Sequence, residues 1–299
     1  MSNEIGATLS KPKATIKDYI SFTKAILSAA VGIPGVFVYL LATKEINSDL
    51  GIGYFAIFLL ALGVCALNQF QERHLDALMP RTQNRPLVTG RISKNEAITI
   101  IIGLIGFSMI TIYSILSFSG VGIFFLVVLL YNGIYTPMKK VNPYAVFPGA
   151  ILGIIPPIIM WMIAGKNLLD PAFLSLAWFY FIWQIPHFWL LVLVYHKDYK
   201  EAGFPTMIDI LGGEGLSRIT YAWILFTIIS ALMTVSYFMP ENNLILGLIL
   251  FHSIFMLYKS IVLLHKDTWK NKRLCRKTFM QLNLYTLLVI GLLVLDKWV

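Results

Sequence analysis

The sequence predicts an all-α membrane protein of about nine transmembrane helices, and its composition is the first reason. Of its 299 residues, 58% are hydrophobic and only 13% are charged, and its mean hydropathy is +0.74. In a typical soluble domain, about a quarter of the residues are charged. Apolar runs long enough to cross a bilayer recur along the whole chain. Helices satisfy their backbone polar groups within each segment, so we expect helices to make the crossings.

These runs divide the chain into two parts. We expect residues 1–24 to form a cytoplasmic N-terminal tail and residues 25–299 to form one intramembrane domain. The fourth run is short for a full crossing and ends near Pro137. The nine predicted runs are residues 25–43, 52–70, 97–116, 121–136, 145–164, 172–195, 219–238, 243–264 and 279–296.

The distribution of positive charge predicts the orientation. With the N-terminus inside, twenty of the 24 lysines and arginines fall in the inside segments and three fall outside. Inside segments of membrane proteins are enriched in these residues, so we expect a cytoplasmic N-terminus and an external C-terminus. The net charge of +9 therefore reflects topology and phosphate chemistry. Nucleic-acid binding is not expected, because the sequence has no basic soluble domain.

The loop after the second run carries the clearest site motif. Asn68, Glu72 and Asp76 are spaced four residues apart, so on a helix they share one face. Oxygen ligands of this kind suit Mg²⁺, which takes its remaining ligands from water and substrate phosphates. Arg81 and Arg85 follow at the same spacing and supply planar donors that bind phosphate. The motif predicts a metal-diphosphate site at the membrane surface.

The loop after the sixth run is a second candidate. Asp198 and Glu201 can share a helical face, with Lys197 and Lys200 beside them. One interpretation is a second ligand group that faces the first motif from the same side of the membrane. The other is an ordinary charged helix end that solvates the membrane boundary.

Two further features lie close to the same side. His187 is ionisable and lies inside the sixth run, which marks it as a functional candidate, although a hydrogen bond between helices would also explain it. Lys139 and Lys140 end the fourth run, where they could hold a diphosphate or simply mark the inside face.

These residues resemble a known family. The pattern N-x3-E-x3-D-x2-M-x-R-T-x2-R-P at residues 68–86 is similar to the first acidic motif of the UbiA-type intramembrane prenyltransferases, and more narrowly to their protohaem IX farnesyltransferase (haem O synthase) branch. The segments YTPMKK, IPP and PHFW, with KxYxxAGxP after them, also resemble that branch in order along the chain. The superfamily has aspartate where this chain has Glu72, and a second aspartate where this chain offers Glu201.

The resemblance implies a helical bundle with a central cavity and a Mg²⁺-dependent reaction. In that reaction a farnesyl group passes from farnesyl diphosphate to a vinyl group of protohaem IX (haem B). Water adds, and the products are haem O, for terminal oxidases, and diphosphate. The location it implies is the bacterial cytoplasmic (inner) membrane. The resemblance leaves open whether a haem A synthase or terminal-oxidase assembly factors are partners of this protein.

The resemblance also implies roles for particular residues. The implied ligands of Mg²⁺ are Asn68, Glu72, Asp76 and Asp198. The implied ligands of the diphosphate are Arg81, Arg85, Lys139 and Lys140. Further implied substrate contacts are Tyr135, His187, Lys197 and Tyr199, and His187 would contact the haem either at its iron or at its edge.

Two alternatives stay open at this point. The first is the same fold with an aromatic or quinone-precursor acceptor, against which the PHFW segment and the arginine-threonine pair argue. The second is a transporter without chemistry. Against it, the charged clusters gather on one face, whereas transporter sites lie near the membrane midplane.

Overall fold

The structure, a computed structural model, describes residues 14–298, so residues 1–13 of the predicted tail and Val299 lie outside the described residues. This part of the chain is helical and contains no strand. The helices are α1 (Ile16–Phe22), α2 (Ala25–Val31), α3 (Ile33–Thr43), α4 (Ser48–Asp76), α5 (Lys94–Val128), α6 (Thr136–Met138), α7 (Val146–Leu152), α8 (Ile155–Ile163), α9 (Pro171–Glu201), α10 (Met207–Tyr237), α11 (Asn243–Ser260) and α12 (Lys272–Asp296).

Eight helical stretches of the described chain are long and apolar enough to cross a membrane, which confirms the predicted class. Several extend further than the hydropathy pattern indicated. In particular, α4 and α9 continue beyond the apolar runs and carry both acidic motifs on helices. The stretches are Ala25–Thr43, Ser48–Asp76, Lys94–Met138, Pro143–Ile163, Pro171–Glu201, Met207–Tyr237, Asn243–Leu264 and Lys272–Asp296.

The third stretch contains two of the nine predicted runs, and the chain reverses direction within it. At Ser117 the backbone is not helical (φ 50°, ψ −142°). Before this point Ile101 packs with Ala66 of α4, and after it the side chain of Asn132 donates to the carbonyl of Val64. In an unbroken helix, Ile101 and Asn132 would lie ~46 Å apart. The segment therefore crosses twice, which agrees with nine crossings.

The membrane domain is built from two packed groups of helices. One buried cluster joins α3 with α7 to α12, and a second joins α3, α4, α5 and α8. Helices α3 and α8 contribute to both clusters, and α9 packs against α10 and α12. Large apolar side chains such as Phe107 and Phe251 point outward, as expected for helices that face lipid. A cavity lies between the two groups.

The described end of the predicted N-terminal tail is folded onto the domain. Helix α1 begins with a capping box between Thr15 and Asp18. Asp18 also accepts from Arg91 at 2.9 Å, and the Tyr19 hydroxyl donates to Glu96 at 2.5 Å. The hydrogen bonds from Thr15, with the nearby Arg91, lower the pKa of the Asp18 carboxyl. The described end of the tail therefore packs against the domain, and the packing does not end at residue 24.

Candidate active site

The cavity has a volume of about 880 Å³. Ligand pockets for small molecules fall roughly between 300 and 1,000 Å³. Its walls are mainly apolar, and most of its charged groups come from the ends of α4 and α6, from the loop after α4 and from the turn before α2. Polar residues that line it include Lys24, Asn68, Glu72, Asp76, Arg81, Arg85, Tyr135, Lys139, Gln184, His187, Tyr199 and Asn283.

Helix α4 supplies the oxygen-lined stripe that the sequence predicted. Asn68, Glu72 and Asp76 all line the cavity, and their exposures are 1%, 6% and 1%. The four-residue spacing works because α4 continues as a regular helix to Asp76, four residues before Pro80. The Asn68 amide is fixed by a bond from Nδ2 to the Thr136 hydroxyl at 3.1 Å.

Each buried carboxylate is paired with a cation. Lys139 Nζ lies 2.8 and 3.0 Å from the two oxygens of Glu72, and Arg85 Nη1 lies 2.5 Å from Asp76 Oδ2. The Thr82 hydroxyl donates to the Asp76 carbonyl at 2.8 Å and holds the turn that brings Arg85 back to α4. Buried charges need such partners, because removal of one leaves the other uncompensated.

Lys24 belongs to this cluster, although its position in the sequence indicates no role for it. Its Nζ lies 3.3 Å from Asn68 Oδ1, and it lines the cavity from the left-handed turn (φ 49°) between α1 and α2. Burial lowers the pKa of its ammonium group. In the sequence, Lys24 directly precedes an apolar run and looks like any other positive charge on the inside. Only packing against Asn68 distinguishes it.

The donor set fits a Mg²⁺ ion that is shared with a diphosphate. Asn68, Glu72 and Asp76 offer an amide oxygen and two carboxylates on one face, and Mg²⁺ usually binds one or two carboxylates together with phosphate oxygens and water. Within the described residues, His, Cys, Asp and Glu side chains do not form a group of three or more that could hold a metal alone. A diphosphate would offer Arg85 and Lys139 a new anionic partner.

The second motif is not assembled as predicted. Tyr199 lines the cavity, but Asp198 and Lys197, its neighbours on α9, do not. Successive residues on a helix point about 100° apart, so only one of the three can face the cavity directly. Lys140 likewise does not line the cavity, whereas Lys139 does. The structure thus brings the first motif together and leaves Asp198, Lys197 and Lys140 outside the lining.

Two tyrosine rings hold cations beside the charged groups, and one of them, Tyr135, lines the cavity. Lys139 Nζ lies 5.4 Å from the ring centroid of Tyr135, and the Arg81 guanidinium lies 4.9 Å from that of Tyr195. Contacts of this kind hold a cation near an aromatic face. Tyr195 sits where α9 departs from helical geometry (φ −118°, ψ 22°). Arg81 is therefore held against α9 at the charged end of the cavity, which we call its entrance.

His187 lies deeper in the cavity, about 18 Å along α9 from Tyr199. Its Nδ1 is 2.8 Å from Asn283 Oδ1, and Asn283 Nδ2 donates to the Phe279 carbonyl at 2.6 Å. That second bond fixes the amide, so Oδ1 must accept and Nδ1 must carry the proton. Among the described residues, Nε2 has no hydrogen-bond partner, so its lone pair is left free. Asn283 was not identified from the sequence, because nothing local links it to a histidine 96 residues away.

Comparison with known proteins agrees with this geometry. Its relatives include several proteins named protoheme IX farnesyltransferase. The protein of Oleidesulfovibrio alaskensis is 37% identical over 182 residues, which are 60% of this chain and 64% of that protein. The protein of Christiangramia forsetii is 33% identical over 306 aligned residues, with 96% of each chain covered.

Solved structures with this fold include a digeranylgeranylglyceryl phosphate synthase, with a TM-score of 0.75 and 18% identity over 94% of this chain and 98% of that one. A UbiA homologue from Archaeoglobus fulgidus, bound to GPP and Mg²⁺, has a TM-score of 0.66 and 15% identity over 92% and 99%. The model of the UbiA prenyltransferase family matches residues 25–285. The chain, with its acidic motif on α4 and its cavity between two groups of helices, belongs to the UbiA prenyltransferase family.

Proposed function

We propose that this protein transfers a farnesyl group from farnesyl diphosphate to a vinyl group of protohaem IX, with addition of water, and releases haem O and diphosphate. The observation that carries the proposal is that one cavity holds two distinct ends. A cluster of carboxylates and cations suits a metal-bound diphosphate, and deeper lies His187 with a free Nε2. Relatives named for the same reaction, one of them aligned over 96% of this chain, support this choice of acceptor.

The donor end would hold the leaving group. Asn68, Glu72 and Asp76 would bind Mg²⁺, which supplies Lewis-acid stabilisation of the diphosphate. Arg85 and Lys139 would turn from the carboxylates toward the diphosphate oxygens as the C–O bond breaks. Lys24 and Arg81 line the same end and would add positive charge there. We propose no part in this step for Asp198, Lys140 and Lys197, which lie outside the cavity lining.

The rest of the cavity would control what the farnesyl carbon meets. Apolar walls from α3, α4, α5 and α8 accommodate the prenyl chain and exclude water from the cationic carbon. The vinyl carbon then forms the new C–C bond, water supplies the hydroxyl group to the neighbouring carbon, and one proton leaves. His187 would hold the acceptor, since neutral imidazole is a common ligand of haem iron.

We further propose the bacterial cytoplasmic membrane as the site of this reaction, with the N-terminus in the cytoplasm. Lysines and arginines number twenty to three across the two sides in favour of this orientation. The charged end of the cavity then opens toward the cytoplasm.

One experiment tests the reaction directly. Membranes that contain the protein are incubated with protohaem, farnesyl diphosphate and Mg²⁺, and the pigments are extracted and analysed by mass. We expect haem O, together with released diphosphate, and neither in excess EDTA. Diphosphate release with a quinone precursor but not with protohaem would favour the alternative acceptor.

A further inference from the structure

The cytoplasmic beginning of α12 carries two kinds of positive charge on two faces. Lys272, Phe279 and Asn283 fall on one face at spacings of seven and four residues. Phe279 packs on the His187 ring, with centroids 4.8 Å apart, and Asn283 bonds to His187. The face that begins with Lys272 therefore contacts His187 further along the helix, through Phe279 and Asn283.

The other face of α12 points toward lipid. Lys277 is exposed, and along the same stripe follow Met280 and Leu284, whose side chains are 62% and 55% exposed. A cation next to lipid-facing apolar residues at the inner boundary suits contact with anionic headgroups. This part of the basic segment needs no substrate to explain it. Lys272 differs from Lys277 in its surroundings.

Lys272 shares an aromatic partner with a cation of the cavity. Its Nζ lies 5.1 Å from the ring centroid of Tyr195, and the guanidinium of Arg81, which lines the cavity, lies 4.9 Å from the same centroid. Within the described chain, neither cation has a carboxylate within 4.0 Å. Two cations held at one ring without an anion between them raise the local positive potential at the cavity entrance.

The antiparallel pair α9 and α12 connects this entrance to the deeper histidine. Tyr195 is eight residues from His187 along α9, or ~12 Å, and Lys272 is eleven residues from Asn283 along α12, or ~16 Å. The two helices are thus tied at two levels, first by His187 with Asn283 and nearer the cytoplasm by Tyr195 with Lys272. Neither Tyr195 nor Lys272 lines the cavity itself; they lie beside its charged end, next to Arg81, which does line it.

We propose that Lys272, held against Tyr195, binds a carboxylate of the acceptor and so selects a tetrapyrrole with free propionate groups. This inference rests on the proposed function. The propionates of protohaem leave the ring on the side opposite the vinyl groups. An ammonium group that binds them limits rotation of the ring about the iron, and so limits where the vinyl groups lie relative to His187. Tyr195 keeps the ammonium group in place through its ring face.

Protohaem dimethyl ester provides the test, because it keeps the ring, the iron and the vinyl groups but has no free carboxylate. Binding of protohaem and of the ester to the purified protein is titrated by absorbance, and KM is measured for both with farnesyl diphosphate. For Lys272→Gln we expect protohaem affinity to fall about two- to fivefold, the size of an exposed ion pair, and the ester to bind as it does to the unchanged protein. Lys272→Arg should retain most of the discrimination.

Lys277→Gln is the matched control, because it removes the same charge from the same helix on the lipid face. Equal losses for both acceptors in Lys272→Gln, or an equal loss of protohaem affinity in Lys277→Gln, would overturn the inference. The affinity difference between the two acceptors should also shrink as salt is raised. If the unchanged protein forms haem O but Lys272→Gln prefers protohaem over the ester as strongly as the unchanged protein does, only this inference fails. If the unchanged protein forms no haem O, the proposed function itself fails.

Discussion

His187 and Asn283 are joined across the contact between α9 and α12 by a hydrogen bond of 2.8 Å from Nδ1 to Oδ1. Because the Asn283 amide is itself fixed by the Phe279 carbonyl, this bond selects the His187 tautomer with a free Nε2. A helix-to-helix bond alone is worth about 0.6 kcal/mol in a membrane protein. The pair leaves Nε2 available to a ligand, and the role of His187 can be tested by substitution on either side of the bond.

The first prediction concerns this pair. His187→Ala should weaken protohaem binding and change the absorbance of the bound haem, while binding of farnesyl diphosphate stays normal. Asn283→Leu should weaken haem binding less, because Nε2 remains but its orientation is lost. His196→Ala is the control, since His196 is on the same helix and outside the cavity lining. Unchanged haem affinity and haem O yield in His187→Ala would return His187 to a packing role.

The second prediction concerns the metal site. Asp76→Ala should lower turnover by about 10²–10³, the usual effect of losing one electrostatic group that stabilises the transition state. Membrane insertion should persist, because Asp76 lies at the end of α4, beyond its apolar part. Asp49→Ala, at the other end of α4, is the control and should keep full turnover. Rates are followed by diphosphate release against Mg²⁺ concentration. Activity of Asp76→Ala at the normal level would contradict the site.

The third prediction separates two adjacent lysines that the sequence could not distinguish. Lys139→Ala removes the cation that pairs with buried Glu72, so we expect loss of diphosphate binding and a lower thermal unfolding temperature. Loss of one partner of a buried pair costs about 3–5 kcal/mol, and the partial exposure of Lys139 puts its effect at or below the lower end. Lys140→Ala should behave like the unchanged protein. Equal defects in the two variants would show that the charge acts only through topology.

The fourth prediction concerns the reversal at Ser117. In a protein whose buried native cysteines, Cys65 and Cys275, have been replaced, single cysteines are introduced and tested with a membrane-impermeant maleimide. Gln83→Cys should label only from the cytoplasm, and Glu45→Cys and Ser119→Cys only from outside. If residues 94–138 crossed the membrane once, Ser119 would lie within the bilayer and would not label. Labelling of Glu45→Cys from the cytoplasm would show that the proposed orientation is wrong.

The sequence by itself determined the features that depend on local spacing. The apolar runs fixed an all-α membrane class, and the four-residue period placed Asn68, Glu72 and Asp76 on one helical face. Both follow from geometry that repeats along a single helix, so no knowledge of the partner helices is needed. The same holds for the charge bias across the membrane, which depends only on which loops hold lysine and arginine.

Only the tertiary structure decided which of the similar residues face the cavity. It paired Lys139, but not Lys140, with Glu72 across 67 positions of sequence, added Lys24, and placed Asn283 against His187. It also left Asp198 outside the lining while the adjacent Tyr199 lines it. Lys139 and Lys140 have the same charge and are adjacent in the sequence, and they differ only in the direction set by the packing of one helix on another. That direction is a property of long-range contacts, which local spacing does not encode.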